Sequence, residues 1–314
     1  MQHIEEMRLG KGTKNLWRTK DTTSPNFLVF LRIGVGLLVL INFFSFYTDI
    51  PYLYGNKAFM PNEVANIYVN ELQITNYKIL QYTGMEYDQF WVVFTLLFVL
   101  FALLLSLGLF TQLTALALLV LHGALFKTSS FFAYGGDYYV RICLFMLCVL
   151  PSNVQYALDA RFFKSTMEKV KQVVHFGRLR LLIKIFVGIS YFFSGFDKLL
   201  GFNWHNGEAI WKTITLPYSN LDFNIAVTWL VDYQWLLIFI GWSVIVLELF
   251  YFLINFKKLQ KFWLWSIIGM HLGIALILNL YFFSAIMIIL NLTAYYDFSD
   301  DIAYSQEENV IKDV

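Results

Sequence analysis

Apolar residues come in long blocks with short polar interruptions. The blocks fall at about 27–46, 90–109, 112–127, 137–150, 181–200, 235–255, 262–279 and 281–296. Few charged side chains interrupt them, and they are too continuous for half-buried strands or for one stripe on a surface helix. A helix needs roughly 20 apolar residues to cross a ~30 Å hydrocarbon core. The blocks therefore predict membrane-spanning helices. Several are shorter than that, and the last two are separated only by a thin hinge at Asn279-Leu280-Tyr281. Seven spans satisfy the pattern, as do eight with two short ones; eight is the expected number, in an all-α polytopic bundle.

Composition agrees. Of 314 residues, 58% are hydrophobic, 19% aromatic and only 14% charged, against about 25% charged in ordinary soluble domains. That excludes a soluble globular enzyme and a disordered chain. The formal charge of +1 provides no field to attract a polyanion, so no nucleic acid is expected as a partner. The bilayer is the solvent that fits.

Basic residues set the orientation. Segments 1–26, 151–180 and 256–261 hold fourteen of them, whereas the opposite side holds only Lys57, Lys78, Lys127 and Lys212. By the positive-inside rule the N-terminus is cytoplasmic. The basic segment 1–26 has no apolar core, and no small-residue cleavage site follows the first block, so that block reads as a retained helix started by Ser24-Pro25. Residues 27–296 form one transmembrane domain. Its long outer loops, 47–89 and 201–234, read as ordered caps, and the tail 297–314 is acidic.

Polar groups inside the apolar blocks carry the candidate chemistry, because each must face protein, water or a partner. Arg32 either snorkels to inner headgroups or forms a buried pair, and Glu248 is a candidate partner for it. Asp137 and Arg141 stand at i and i+4 after the Gly135-Gly136 break, on a block too short to cross alone. They form either a helix cap with a surface ion pair or the wall of an outward-facing pocket. Tyr191, Ser194 and Lys198 make one polar stripe. Lys198 either reaches outer headgroups or sits in an apolar pocket as a general base. His271, between Gly269 and Gly273, is either a hydrogen-bonded group in a close helix interface or a proton donor or acceptor in the same cavity. Cys143 and Cys148, five residues apart, point about 140° apart on a helix and are not expected to pair. No histidine spacing suggests a metal site, and no repeat supports a transporter.

Four ordered stretches resemble the horizontally transferred transmembrane (HTTM) family, which includes the vitamin K-dependent gamma-carboxylases. They are Leu31-Arg32-Ile33-Gly34 with Tyr54-Gly55 and Pro61; Gly135-Gly136-Asp137 with Arg141 and Leu150-Pro151; Tyr191-Phe192-Phe193-Ser194-Gly195-Phe196-Asp197-Lys198-Leu199 with Trp204 and Gly207; and Gly269-Met270-His271-Leu272-Gly273. The resemblance covers nearly the whole chain. It implies a bundle working on its outer face, with Lys198 at the position of the base that acts on a quinol and His271 at that of the fourth-motif histidine. Asp137 stands where the carboxylases carry a histidine. Lys198, His271 and Asp137 are thus the candidate catalytic residues, and Tyr191, Ser194, Arg141 and Trp204 the candidate lining for a lipid quinone or quinol. The carboxylases carry a large domain after the bundle and a doubled lysine in the third motif. This chain stops at Val314 and has Asp197-Lys198, so carboxylation of protein glutamate is not expected.

Two functions follow as expectations. One is an outward-facing pocket for a small apolar ligand, with carboxylase-like or quinol-linked chemistry. The other is a non-catalytic membrane protein that assists maturation or export of a secreted protein or peptide toxin, as one branch of the family does. The expected location is a bacterial cytoplasmic membrane.

Overall fold

The computed structural model describes residues 23–298 apart from 56, 68, 129–132 and 218. Most of the expected basic segment and nearly all of the expected acidic tail lie outside the described residues. Within them the secondary structure is helical throughout, with no strand.

Eight helices of 15 residues or more stand out among the described residues. They are α1 (Asn26–Ser45), α2 (Tyr87–Leu107), α3 (Thr111–Thr128), α4 (Gly135–Val149), α5 (Phe176–Leu200), α6 (Gln234–Leu249), α7 (Lys257–Leu278) and α8 (Tyr281–Tyr295). Each coincides with one apolar block, and local chemistry sets several ends. Pro25, which lacks an N–H, precedes α1. Gly108, at φ +72°, closes α2. Pro151 follows α4. Asn279 takes the left-handed conformation (φ +55°) at the hinge between α7 and α8.

Helices α1, α2, α5 and α7 are long and apolar enough to cross a membrane; α3, α6 and α8 are apolar but shorter. Exposed apolar side chains run along the outside: Leu96, Leu100, Leu103 and Leu107 on α2, then Leu182, Ile185 and Ile189 on α5. Water would not tolerate so continuous an apolar surface, whereas lipid tails cover it at no cost. The protein is therefore a membrane protein.

Helices α1 to α4 pack in sequence, and α4 returns to α1. Helix α5 packs on α6, and α7 on α8. Helix α8 joins the two halves, touching α1, α4, α5 and α7. It is accordingly buried on many sides, with Ile286, Leu290, Asn291 and Ala294 all inaccessible to solvent.

Arg32 is fully buried in the N-terminal half of α1. Of the two expected roles the snorkelling one fails and the buried one holds in part: the side chain is withdrawn into the protein, but its partner is not Glu248. Its guanidinium donates to the carbonyls of Ser152 (2.6 Å) and Tyr156 (2.5 Å) in the turn after α4. Nearby Asp159 accepts from Phe110 N (2.8 Å), Thr111 N (3.1 Å) and Asn153 Nδ2 (2.8 Å). Burial opposes the charge on Asp159, but these hydrogen bonds outweigh it and hold its carboxyl below the ordinary value. The knot ties α1, the α2–α3 turn and the chain after α4 together. Cys143 and Cys148 are both free thiols.

Candidate functional site

The third-motif stripe on α5 faces α6, α7 and α8. Tyr191, Ser194 and Lys198 are spaced to share one helix face, and Tyr191 and Lys198 are separated by about 10 Å of helix rise. The three line a cavity of about 530 Å³, together with His271 from α7 and Glu248 from α6. The rest of the wall is largely apolar and includes Ile240, Val244 and Leu247 of α6 and Phe283 of α8. Part of the segment after α5 also lines it, with Trp204, Ile210 and Ile214 from the short helices Phe202–His205 and Glu208–Ile214.

The lysine is not alone in this wall. Lys198 Nζ donates to Glu248 Oε2 at 2.6 Å and to Ser194 Oγ at 2.6 Å. The side chains are 19% and 7% exposed, so the ion pair is largely withdrawn from solvent. The ammonium also lies 5.2 Å from the centre of the Trp204 ring, within cation–π range. Gly195 makes the pair reachable. A methyl group placed on it would fall 2.5 Å from Leu249 N, so only glycine lets α5 and α6 approach this closely. The Glu248 partner expected to be Arg32 is therefore Lys198.

Deeper along α5, the Tyr191 hydroxyl lies 2.6 Å from His271 Nε2. Asn291 of α8 donates to the same hydroxyl at 2.8 Å, and its Oδ1 accepts from the Tyr251 hydroxyl at 2.7 Å. The Tyr191 and Tyr251 rings stack with centroids 4.4 Å apart. All four side chains are buried. The members of this buried set satisfy one another except at His271 Nδ1, which is buried without a hydrogen-bond partner in the protein. The expectation that Gly269 and Gly273 bring a helix close to His271 fails, since a methyl on either would meet open space. Gly273 instead lines the cavity.

Asp137 and Arg141 stand apart from this group and do not line the cavity. Tyr139 of α4 does line it, and Asp137, two residues earlier, projects about 160° away from it. The Asp137 carboxylate caps its own helix, accepting from Tyr134 N at 3.0 Å, and lies 3.9 Å from His122 Nε2. Arg141 makes no ion pair with it. Its Nε donates to the Asp137 carbonyl at 3.3 Å, and its guanidinium covers the Tyr138 ring at 4.6 Å. Of the seven candidate site residues, the structure gathers Lys198, His271, Tyr191, Ser194 and Trp204 around one cavity and leaves Asp137 and Arg141 outside it.

Sequence reasoning passed over Asn291 and Tyr251. A lone amide in an apolar block is itself a signal, because in lipid it must find partners. Tyr251 carried no such signal, since tyrosines near block ends also fit an interfacial belt.

In sum the site offers an apolar chamber of ring-ligand size, an ion pair in its wall, and a histidine held by a tyrosine. A scan against protein-family models finds no match to this chain, and comparisons with curated proteins and with solved structures find none either.

Proposed function

We propose that this chain is a multi-pass membrane protein of the HTTM type whose cavity between α5 and α8 binds an apolar, ring-sized ligand of the lipid quinone or quinol class. In this reading all eight long helices cross a bacterial cytoplasmic membrane, the N-terminus is cytoplasmic, and the cavity belongs to the outer half. One observation carries the proposal: a chamber of about 530 Å³, mostly apolar, into which Lys198, Glu248 and His271 are set. Apolar walls with a few placed polar groups are the general form of a small-molecule site.

The residues suggest how such a ligand would be handled. The apolar wall excludes water, and Trp204 and Phe283 offer faces for a ring. Lys198 starts as an ammonium in contact with Glu248. Transfer of one proton from Nζ to the carboxylate leaves a neutral amine beside a neutral acid. That amine can then take the proton of a ligand hydroxyl, with Ser194 holding Nζ in place. The pair thus supplies both a base and a store for the proton.

A second reading is favoured by the outer segment 47–89, where Phe59, Leu72 and Tyr82 are almost fully exposed. These side chains suit a surface that receives a secreted protein or peptide. The Lys198–Glu248 pair would then serve packing alone.

The test uses the purified full chain in detergent. Lipid extracts are analysed by mass spectrometry for bound quinones, and decylubiquinone is titrated against the fluorescence of the nine tryptophans, of which Trp204 lines the cavity. Saturable quenching that disappears in Ile274→Phe, a cavity-filling change, is the expected result. Absence of both a bound quinone and saturable quenching in the unaltered protein would leave the second reading standing.

A further inference from the structure

The hydrogen bonds around Asn291 have a direction. The Met287 carbonyl can only accept, and it lies 2.8 Å from Asn291 Nδ2, which fixes the amide orientation. Oδ1 therefore faces Tyr251, whose hydroxyl donates to it at 2.7 Å. The second hydrogen of Nδ2 goes to the Tyr191 oxygen at 2.8 Å. With that oxygen already accepting, the Tyr191 proton has one hydrogen-bonding neighbour left, His271 Nε2 at 2.6 Å. Nε2 then presents its lone pair, and the proton of the neutral ring sits on Nδ1. Nδ1 is buried and has no hydrogen-bond partner in the protein. His271 also lines the cavity.

We infer that the Tyr251–Asn291–Tyr191 chain locks His271 as its Nδ1–H tautomer, and that this N–H is the donor the cavity offers to an uncharged ligand oxygen such as a carbonyl. A buried donor without a partner carries a desolvation cost, which an acceptor on the ligand removes. Asn291 and Tyr251 are positioning residues, acting on the ligand only through Tyr191 and His271. The ligand half of this inference rests on the reading of the cavity given above; the tautomer half does not.

The test is nitrogen NMR of the full-length chain labelled with ¹⁵N-histidine, in detergent at neutral pH. The His271 signal is identified by its loss in His271→Gln, and the other four histidines report on folding. The unaltered protein is expected to show the Nδ1–H pattern. Tyr191→Phe removes the acceptor-fixing hydroxyl, so His271 is expected to move toward the Nε2–H form that free imidazole prefers. Asn291→Ala is a second route to the same shift should Tyr191→Phe fail to fold. An Nε2–H ring or an imidazolium in the unaltered protein would overturn the tautomer assignment without any variant. Adding decylubiquinone is expected to shift the Nδ1 resonance while the tautomer stays the same. Saturable fluorescence quenching with an unmoved Nδ1 resonance would overturn the ligand half alone. Absence of quenching would instead count against the cavity reading itself.

Discussion

Replacing Glu248 by leucine, Lys198 by methionine, and then both together asks how tightly the ion pair is coupled. Glu248→Leu leaves the Lys198 ammonium with Ser194 Oγ at 2.6 Å and no countercharge in contact. Removing one partner of a buried pair costs about 3–5 kcal/mol, because the other charge is stranded. Lys198 is 19% exposed and lies near the Trp204 face, so water and the ring soften the loss; about 3 kcal/mol is the expected figure. Lys198→Met strands the carboxylate, which is only 7% exposed, and should cost at least as much. The double variant presents two apolar side chains of similar volume and should recover most of the loss, as apolar replacements of buried pairs commonly do. With about 1–2 kcal/mol still lost in the double variant, the coupling energy should then reach about 4–5 kcal/mol. Equilibrium unfolding of the four proteins in mixed micelles with increasing dodecyl sulfate measures it. Additive single effects, with coupling below about 0.5 kcal/mol, would refute the claim that a desolvated ion pair is set into the cavity wall.

Gly195→Ala should lower stability by about 1–3 kcal/mol, because α5 and α6 must part to admit the methyl; thermal unfolding in detergent measures it. Asp159 gives a pH dependence with a definite sign. Its carboxyl is held below the ordinary value, so its contribution is complete above the unfolded value of about 3.9 and is lost as pH falls through the folded value. Asp159→Asn should flatten the decline in stability below pH ~4, and an unchanged acid limb would contradict this. Arg32→Met should destabilise through the loss of two buried charge-assisted hydrogen bonds to the Ser152 and Tyr156 carbonyls, by about 2–4 kcal/mol; the same unfolding assay reads it.

The helices were legible because lipid leaves the sequence little choice: a spanning segment must be apolar and must satisfy its own backbone, so block and helix coincide. Gly108 and Asn279 mark helix ends through left-handed conformations that a pattern of apolar residues does not encode. The site was legible on one helix and obscure between helices. The spacing of Tyr191, Ser194 and Lys198 fixes their common face, whatever surrounds them. Which acid meets Lys198 depends on how closely α5 and α6 approach, and that closeness comes from Gly195, whose role shows only when the two helices are brought together. Asp137 misled for a related reason. A carboxylate near a helix start reads equally well as a cap or as a pocket wall, and the choice turned on helix rotation: Tyr139 faces the chamber, and Asp137 therefore does not.

Helix α8 has a consequence for how the protein is made. It contacts α1, α4, α5 and α7, yet follows all of them in the chain. A ribosome must therefore complete seven long helices before the piece that joins them exists. Until residues 281–295 enter, Tyr191 and Tyr251 have no Asn291 to hold them, and α1 and α4 keep an uncovered seam. Assembly of the bundle should thus be completed late, in one step that follows the synthesis of α8, and a nascent chain arrested before that point should be a ready substrate for membrane proteases.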